Sequence, residues 1–405
     1  MLVLFRFKNF GPFKEEATLD MRAVKAYKEH PYNLISENHG QDFLKVVSIF
    51  GANASGKTNF IDAYHMFQKI ARHSFQENNK DKKETFLSKC YNPFMLDTES
   101  TTEDTEFEAV YHDDEFEYKY GFSYNKERIT SEWLYRTNLS TNRQSAILER
   151  IERKIVLGSS IKKTCEKYID NIDTDVLSLS FFSSLRLKTK VFEKTLFCIL
   201  EILPLRFNYI AESDAILDLL FDEHFEDKDK TILLDFLNAI DIGIKDISVE
   251  RKEDGNNIYT YHFDKQGHKV RFHLDKESAG TRKAIVIFGL VKLAIVLGKG
   301  LLIDELNNQL HPLLQKYIID LLYNSNTKAQ LIFTTHDTTL LDKRYVRRDQ
   351  IWFTDKNEFG ESTLYSLADY KIRNDQSFTK DYLSGAFDAI PHLKKFTHWE
   401  DTDGN

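Results

Sequence analysis

Apolar and polar positions alternate over residues 1–20, where LVLFRFKNF and FKEEATLDM flank the pair Gly11-Pro12. A period of two on either side of a tight turn predicts two strands. VVSIF at 46–50 is a short unbroken apolar run ending at Gly51, the pattern of a strand buried on both faces. From Lys57 to about Phe75 the rhythm changes, with Phe60, Tyr64, Phe67 and Ile70 at helical spacing. Residues 76–105 are polar, carry the charge run NNKDKKE and read as a loop or mobile insertion. FEAVYHD, EFEYKYGFSYN and ERITSEWLYR are rich in aromatic and β-branched residues, so an antiparallel meander is expected there.

From about 145 to 240 the spacing favours helices. ILERIERKIVL, KKTCEKYIDNI, TKVFEKTLFCILEIL and KTILLDFLNAI all place apolar residues three and four apart. Strands return in ISVERKED and IYTYHFDKQGHKVRFHL, and a long helix is expected from about Ala279 to Leu297. LLIDE, a helix, LIFTTHD, a second helix and IWFTD then follow, the rhythm of a parallel sheet with crossover helices. The expected fold is α/β. It divides into an N-terminal lobe (1–144) with the meander, an inserted helical subdomain (145–245) and a C-terminal lobe (246–405).

With 405 residues, 41% of them hydrophobic and 29% charged, the chain can bury the core of one large or two modest domains. It has no run of 18 apolar residues, so no membrane span is expected. MLVLFRFKNFGPF carries charges inside its apolar stretch and reads as a strand, not a signal peptide. Cys90, Cys165 and Cys198 are scattered without a CxxC pair, which fits a reducing, cytoplasmic setting and argues against a zinc site. A net charge of −8 argues against a broad grip on duplex DNA.

The chemistry concentrates in four fragments. GANASGKT at 51–58 matches G-x-x-x-x-G-K-[ST] and sits between a predicted strand and a predicted helix, the context that motif requires. Gly51 and Gly56 let backbone N–H groups turn toward phosphates, with Ser55 between them in the same loop. Lys57 would reach the β- and γ-phosphates of ATP, and the Thr58 hydroxyl would ligate Mg²⁺. Asn53 fits two roles, a γ-phosphate contact or a residue that shapes the loop.

GLLIDE at 300–305 ends an apolar strand in two acids: Asp304 to hold Mg²⁺ and Glu305 to polarise the attacking water. The separation of 248 residues (305 − 57) implies a large insertion between the two motifs. ESAGTRK places Ser278, Ala279, Gly280 and Thr281 at a helix start, where small residues leave N–H groups open to a phosphate. LIFTTHD ends a strand at His336, within reach of a γ-phosphate.

The order GANASGKT, ESAGTRK, LLIDELNNQLHP, TTHD resembles the ABC-type ATPases that include RecF, the SMC heads and the OLD family. It is more similar still to the single-chain ATPases of bacterial anti-phage, abortive-infection loci such as AbiL, RloA and the ATPase half of PARIS. LFRFKNFGPFKEEATLDM, TSEWLYR, RRDQIWF and KDYLSGAFDAIPHL carry the same resemblance, which is strongest at 1–66 and 277–393.

The resemblance implies an ABC-type ATPase head of low turnover. Ser278–Thr281 would be a signature reaching a partner subunit's ATP, Glu305 the catalytic carboxylate and His336 the switch histidine. A homodimer or higher homo-oligomer with shared sites follows. Asn307 departs from the aspartate usual after DEL, in a loop thought to connect the two sites, and Asn92 is the nearest stand-in for a Q-loop residue. His311-Pro312 reads as a structural histidine before a first-turn proline.

OLD nucleases continue into a Toprim domain, whereas 68 residues (405 − 337) follow Asp337 here. Any nuclease output is therefore expected from a separate effector protein. The reading that follows is an anti-phage switch triggered by infection, through a phage protein. Against it stand a RecF-like DNA-repair ATPase, for which Lys119, Lys126 and Arg128 offer a thin basic face, and a plain metabolic ATPase or kinase.

Overall fold

The computed structural model describes residues 1–37, 40–77, 84–206, 210–252, 255–373 and 376–391. Most of the charge run at 78–84 and the end of the closing motif (His392, Leu393) lie outside the described residues.

In chain order, β1 (Leu2–Lys8) and β2 (Ala17–Asp20) form the expected hairpin, followed by the short pair β3 (Leu34–Ile35) and β4 (Phe43–Leu44). β5 (Val46–Gly51) runs through the phosphate loop into α1 (Lys57–His73), and α2 (Phe86–Cys90) follows. The meander is β6 (Thr105–His112), β7 (Phe116–Tyr124), β8 (Ile129–Asn138), β9 (Arg143–Ile151) and β10 (Lys154–Leu157). Helices α3 (Ser159–Cys165), α4 (Ser178–Ser184) and α5 (Val191–Leu200) lead to β11 (Ile202–Arg206), then α6 (Ile210–Leu220) and α7 (Asp227–Ala239). A small sheet of β12 (Asp246–Lys252), β13 (Gly255–Phe263) and β14 (Lys269–His273) precedes α8 (Ala279–Leu297). The chain closes with β15 (Gly300–Asp304), α9 (Pro312–Tyr323), β16 (Gln330–Thr334), β17 (Ile351–Lys356), β18 (Ser362–Ser366) and α10 (Phe378–Leu383).

Two large sheets enclose α1. The first is antiparallel in the order β10-β9-β8-β7-β6-β1-β2. The second runs β11-β15-β16-β5-β17-β18 and is parallel except for β18. Because side chains alternate across a strand, the second sheet feeds two cores. Val47, Ile49, Leu302 and Ile332 face α1 and the antiparallel sheet, while Val46, Phe50, Leu301, Ile303 and Phe333 face α8 and α9. α1 is pinned between the sheets by aromatic contacts, with Phe5 edge-on to Tyr64 at 4.9 Å and Phe67 stacked on Phe122 at 5.7 Å. That burial on both sides fixes the start of α1, and so the phosphate loop, against the carboxyl ends of β5 and β15.

Two expectations are corrected. ILERIERKIVL is not helical: it forms most of β9 and β10, which extend the meander to Leu157, so the helical run begins at Ser159. A bulge opposite Leu134/Tyr135 admits one extra residue on β9, Tyr135 pairing Ala146 and Leu134 pairing Leu148. Ile147 and Leu148 are therefore both buried, which breaks the period of two and mimics helical spacing. The helix expected after LIFTTHD is reduced to two 3-10 turns, Thr338–Leu340 and Arg348–Gln350. Asp337 accepts from Thr339 N–H at 3.0 Å and Asp342 from Arg344 N–H at 2.9 Å, local bonds that compete with a helix.

TSEWLYR and RRDQIWF are staples. The Glu132 carboxylate accepts from Tyr120 and from the Ser178 and Leu179 N–H groups, and Arg150 lies 3.9 Å away. Arg347 donates to the Val24, Tyr27 and Glu29 carbonyls while paired with Asp349. Burial pushes the Cys90 and Cys198 thiols up to about 11, and Cys165 is raised by the same cause. Iodoacetamide at pH 8 is accordingly expected to leave all three native cysteines unmodified and to label all three in denaturant, read by mass spectrometry.

Candidate nucleotide site

The loop from Gly51 to Gly56 is shaped by what cannot fit. A Cβ on Gly51 would come within 2.4 Å of the Thr354 carbonyl. Gly56 has φ +113, and a Cβ there would meet Ser362 Oγ at 2.9 Å and the Phe13 ring at 3.0 Å. Only glycine meets both demands at Gly56. Ser55 is buried and its hydroxyl is bonded to Thr354 Oγ1 at 2.6 Å, so this side chain fastens the loop to β17. Asn53 and Ala54 stand exposed at the tip, Ala54 with φ +61. Gly56 gives α1 no side-chain cap, which leaves first-turn N–H groups available to an anion.

Lys57 is 6% exposed, and its ammonium donates to the Gly51 and Ala52 carbonyls at 2.9 and 2.8 Å. Burial, opposed by the nearby Glu305 and Asp304 carboxylates, brings its pKa from 10.5 down to about 8. A desolvated ammonium parked on the loop's own carbonyls is a cation waiting for phosphate oxygens. Since the bound state needs the charged form, nucleotide affinity is expected to fall as pH rises through about 8. By titration in EDTA, a fluorescent ATP analogue should bind roughly tenfold more weakly at pH 9 than at pH 7, and Lys57→Met should flatten that dependence.

At the end of β15 the Asp304 carboxylate accepts from Thr58 Oγ1 at 2.9 Å and from Thr334 Oγ1 at 2.7 Å. Thr334 Oγ1 in turn accepts from Glu305 N–H at 2.7 Å. The Thr58 hydroxyl and Asp304 thus already converge as a pair of hard oxygens beside the loop, a donor set that fits Mg²⁺. Glu305 turns out of the strand with φ +49, and its carbonyl accepts from Lys283 Nζ at 3.0 Å. Lys283 is also 6% exposed, and burial brings it down to about 8 against the pull of Glu305 and Asp304.

His336 follows β16 with its edge open to solvent. Its partial burial, and then repulsion from Lys57, hold the imidazole below its ordinary value while Asp304 works the other way. The ring is therefore neutral at pH 7. Its backbone N–H donates to Asn307 Oδ1 at 3.2 Å, so the Asn307 amide ties the 305–310 loop to the histidine. His311 caps α9 by accepting from Leu313 N–H at 3.2 Å, with Pro312 as first-turn residue, as read from the sequence. Asn92 is exposed and accepts through its backbone carbonyl from Gly11 N–H at 2.7 Å.

Ser278 caps α8 by accepting from Thr281 N–H at 3.0 Å, and the two hydroxyls lie 2.9 Å apart. Ser278 and Ala279 are exposed and Thr281 is half-buried. A Cβ on Gly280 would sit 2.8 Å from the Gln309 carbonyl, so the helix start leans on the 305–310 loop. Of the residues expected at the site, the structure gathers Lys57, Thr58, Asp304, Glu305 and His336 around the phosphate loop. Ser278–Thr281 lie at the start of α8, where Gly280 packs against the 305–310 loop. Reasoning from sequence missed Thr334, Thr354 and Lys283. Thr334 and Lys283 had a signal, a polar residue inside an otherwise apolar strand or helix face.

A phosphate loop on an inner strand of a parallel sheet, with an Asp-Glu pair ending a strand two places away, defines a P-loop nucleotide-binding α/β protein. Residues 46–342 match the family described as "AAA domain, putative AbiEii toxin, Type IV TA system". The chain belongs to this family of AAA-type ATPase domains. Its fold is similar to the SMC head bound to the C-terminal winged-helix domain of ScpA, at 13% identity and a TM-score of 0.45, over 90% of this chain and 97% of that one. It is also similar to the SMC head domain from Thermotoga maritima, at 12% identity and a TM-score of 0.40, over 92% and 99% of the two chains. No curated protein matches the chain. Among the described residues no helix is long and apolar enough to cross a membrane.

Proposed function

We propose that this chain is an ATP-binding and hydrolysing switch subunit of a bacterial anti-phage, toxin–antitoxin-like system, acting as a homodimer or higher homo-oligomer that controls a separate effector. Lys57 and the first turn of α1 hold the β- and γ-phosphates, with Asn53 at the tip of the loop. Thr58 and Asp304 hold Mg²⁺, which when bound offsets phosphate charge. Glu305 polarises the attacking water, and the neutral His336 hydrogen-bonds the γ-phosphate. Ser278, Ala279, Gly280 and Thr281 of a second subunit complete the site.

The observation that carries this reading is the single hydrogen-bonded network of Thr58, Asp304, Thr334 and Glu305 beside the buried Lys57. The start of the 19-residue α8 supports the shared site, because Ser278 and Ala279 stand exposed at a helix N-terminus, the end that favours an anion. Membership of a family tied to toxin–antitoxin systems supports the toxin–antitoxin setting, and a net charge of −8 suits a basic protein partner such as a nuclease. The DNA-clamp alternative loses ground because Lys119 is paired with Glu108 at 3.2 Å and Arg128 with Glu152 at 3.1 Å. A phage protein is the expected trigger.

The test is to express Glu305→Gln with its native neighbouring genes, purify it in ATP and Mg²⁺, and identify what stays bound. A stoichiometric nuclease-like protein supports the switch. Nucleic acid without protein supports the RecF-like alternative and overturns it.

A further inference from the structure

Lys283 is buried one turn into α8, where a leucine or methionine would fill the same space without the cost of desolvating a charge. Its ammonium instead donates to the carbonyl of Glu305, the residue that leaves β15 with φ +49. The Glu305 N–H is held by Thr334 Oγ1. The backbone of this one residue is thus clamped on both sides, by the Asp304 network on its amide side and by α8 on its carbonyl side. Gly280, three residues before Lys283 and on the same side of the helix, touches the Gln309 carbonyl at the other end of the 305–310 loop. The helix start and the loop carrying Glu305 therefore meet at two points.

We propose that Lys283 is a positioning residue that makes the aim of the Glu305 carboxylate depend on the position of the α8 start. A phosphate group engaged by Ser278–Thr281 from a second copy of this chain shifts or steadies α8, and Lys283 passes that to Glu305 of its own subunit. Each site then reports its occupancy to the other. The inference rests on the assignment of Glu305 and the shared site given above.

The test compares Lys283→Met, Lys283→Arg and Glu305→Gln with wild type. The readouts are steady-state hydrolysis, binding of a fluorescent ATP analogue, thermal midpoint, and ATP-driven assembly of each Lys283 variant combined with Glu305→Gln. Losing a charge-assisted bond that only orients another group should lower kcat of Lys283→Met about 10- to 100-fold. Nucleotide affinity, KM and assembly should stay within about twofold of their parents, and Lys283→Arg, which can still donate to the carbonyl, should recover most of kcat. A purely structural lysine would lower thermal midpoint, affinity and kcat together, and that result overturns the proposal.

Full turnover in Lys283→Met beside a dead Glu305→Gln sinks the lysine's role alone. Wild type without turnover, or Glu305→Gln with full turnover, sinks the hydrolysis reading and this inference with it. If Lys283→Met does not fold, Lys283→Gln keeps a neutral donor in place; unchanged kcat at unchanged affinity then overturns the need for the ammonium, and reduced kcat supports it.

Discussion

Glu305→Gln is expected to bind ATP with Mg²⁺, to hydrolyse it about 10²–10⁴ times more slowly, and to remain assembled while ATP is present. The substitution is nearly isosteric and leaves the main-chain contacts of residue 305 intact, because Thr334 holds its N–H and Lys283 its carbonyl. It removes a basic oxygen for the attacking water and one negative charge beside two buried lysines. The same change takes away the repulsion between the Glu305 carboxylate and the phosphates of a bound nucleotide. Nucleotide should thus be held at least as firmly while the chemistry stalls.

Turnover and light scattering in saturating ATP read the two effects separately. Moving an association equilibrium from 1:99 to 99:1 takes about 5.5 kcal/mol, a demand that two shared phosphate sites can meet. A monomer under those conditions would sink the two-subunit site. Unchanged turnover would remove Glu305 from the chemistry.

The phosphate loop, the Asp-Glu pair and α8 were legible because each is local. Gly51 and Gly56 are required by close contacts, β15 is a continuous apolar run, and α8 starts at the Ser278 cap and stops at Gly298 with φ +66. The partners of those motifs were not local. Thr334 reaches Asp304 from the neighbouring strand, and Ser55 spends its hydroxyl on Thr354, 299 residues away, a contact that only the β5–β17 pairing creates. TSEWLYR and RRDQIWF carry the family resemblance, and their contacts hold the scaffold together: Glu132 joins the meander to α4, and Arg347 holds the 24–29 loop. The misread hairpin at 143–157 has one cause, the extra residue Ile147, which placed two adjacent apolar side chains inside.

Lys57→Ala is expected to weaken nucleotide binding by about 10²-fold or more and to abolish the rise in melting temperature that ATP gives wild type. The size follows from removing a charge-assisted contact to phosphate in a desolvated site. The empty protein should respond in the opposite sense. Lys57 has a pKa of about 8 when folded, below its ordinary 10.5, so at pH 7 the folded state bears the cost of a buried charge that the unfolded chain does not.

At about 1.4 kcal/mol per pKa unit, that cost is on the order of 3 kcal/mol. Burial of the aliphatic stem offsets part of it, as do the bonds to the Gly51 and Ala52 carbonyls. Removing the side chain should leave the empty protein as stable as wild type or more so, with the cost fading for wild type as pH climbs from about 8 toward 10.5. Differential scanning fluorimetry with and without ATP checks both halves. An empty variant that melts much earlier would make Lys57 a structural lysine, and an ATP shift as large as wild type's would mean that the phosphates are held somewhere other than this loop.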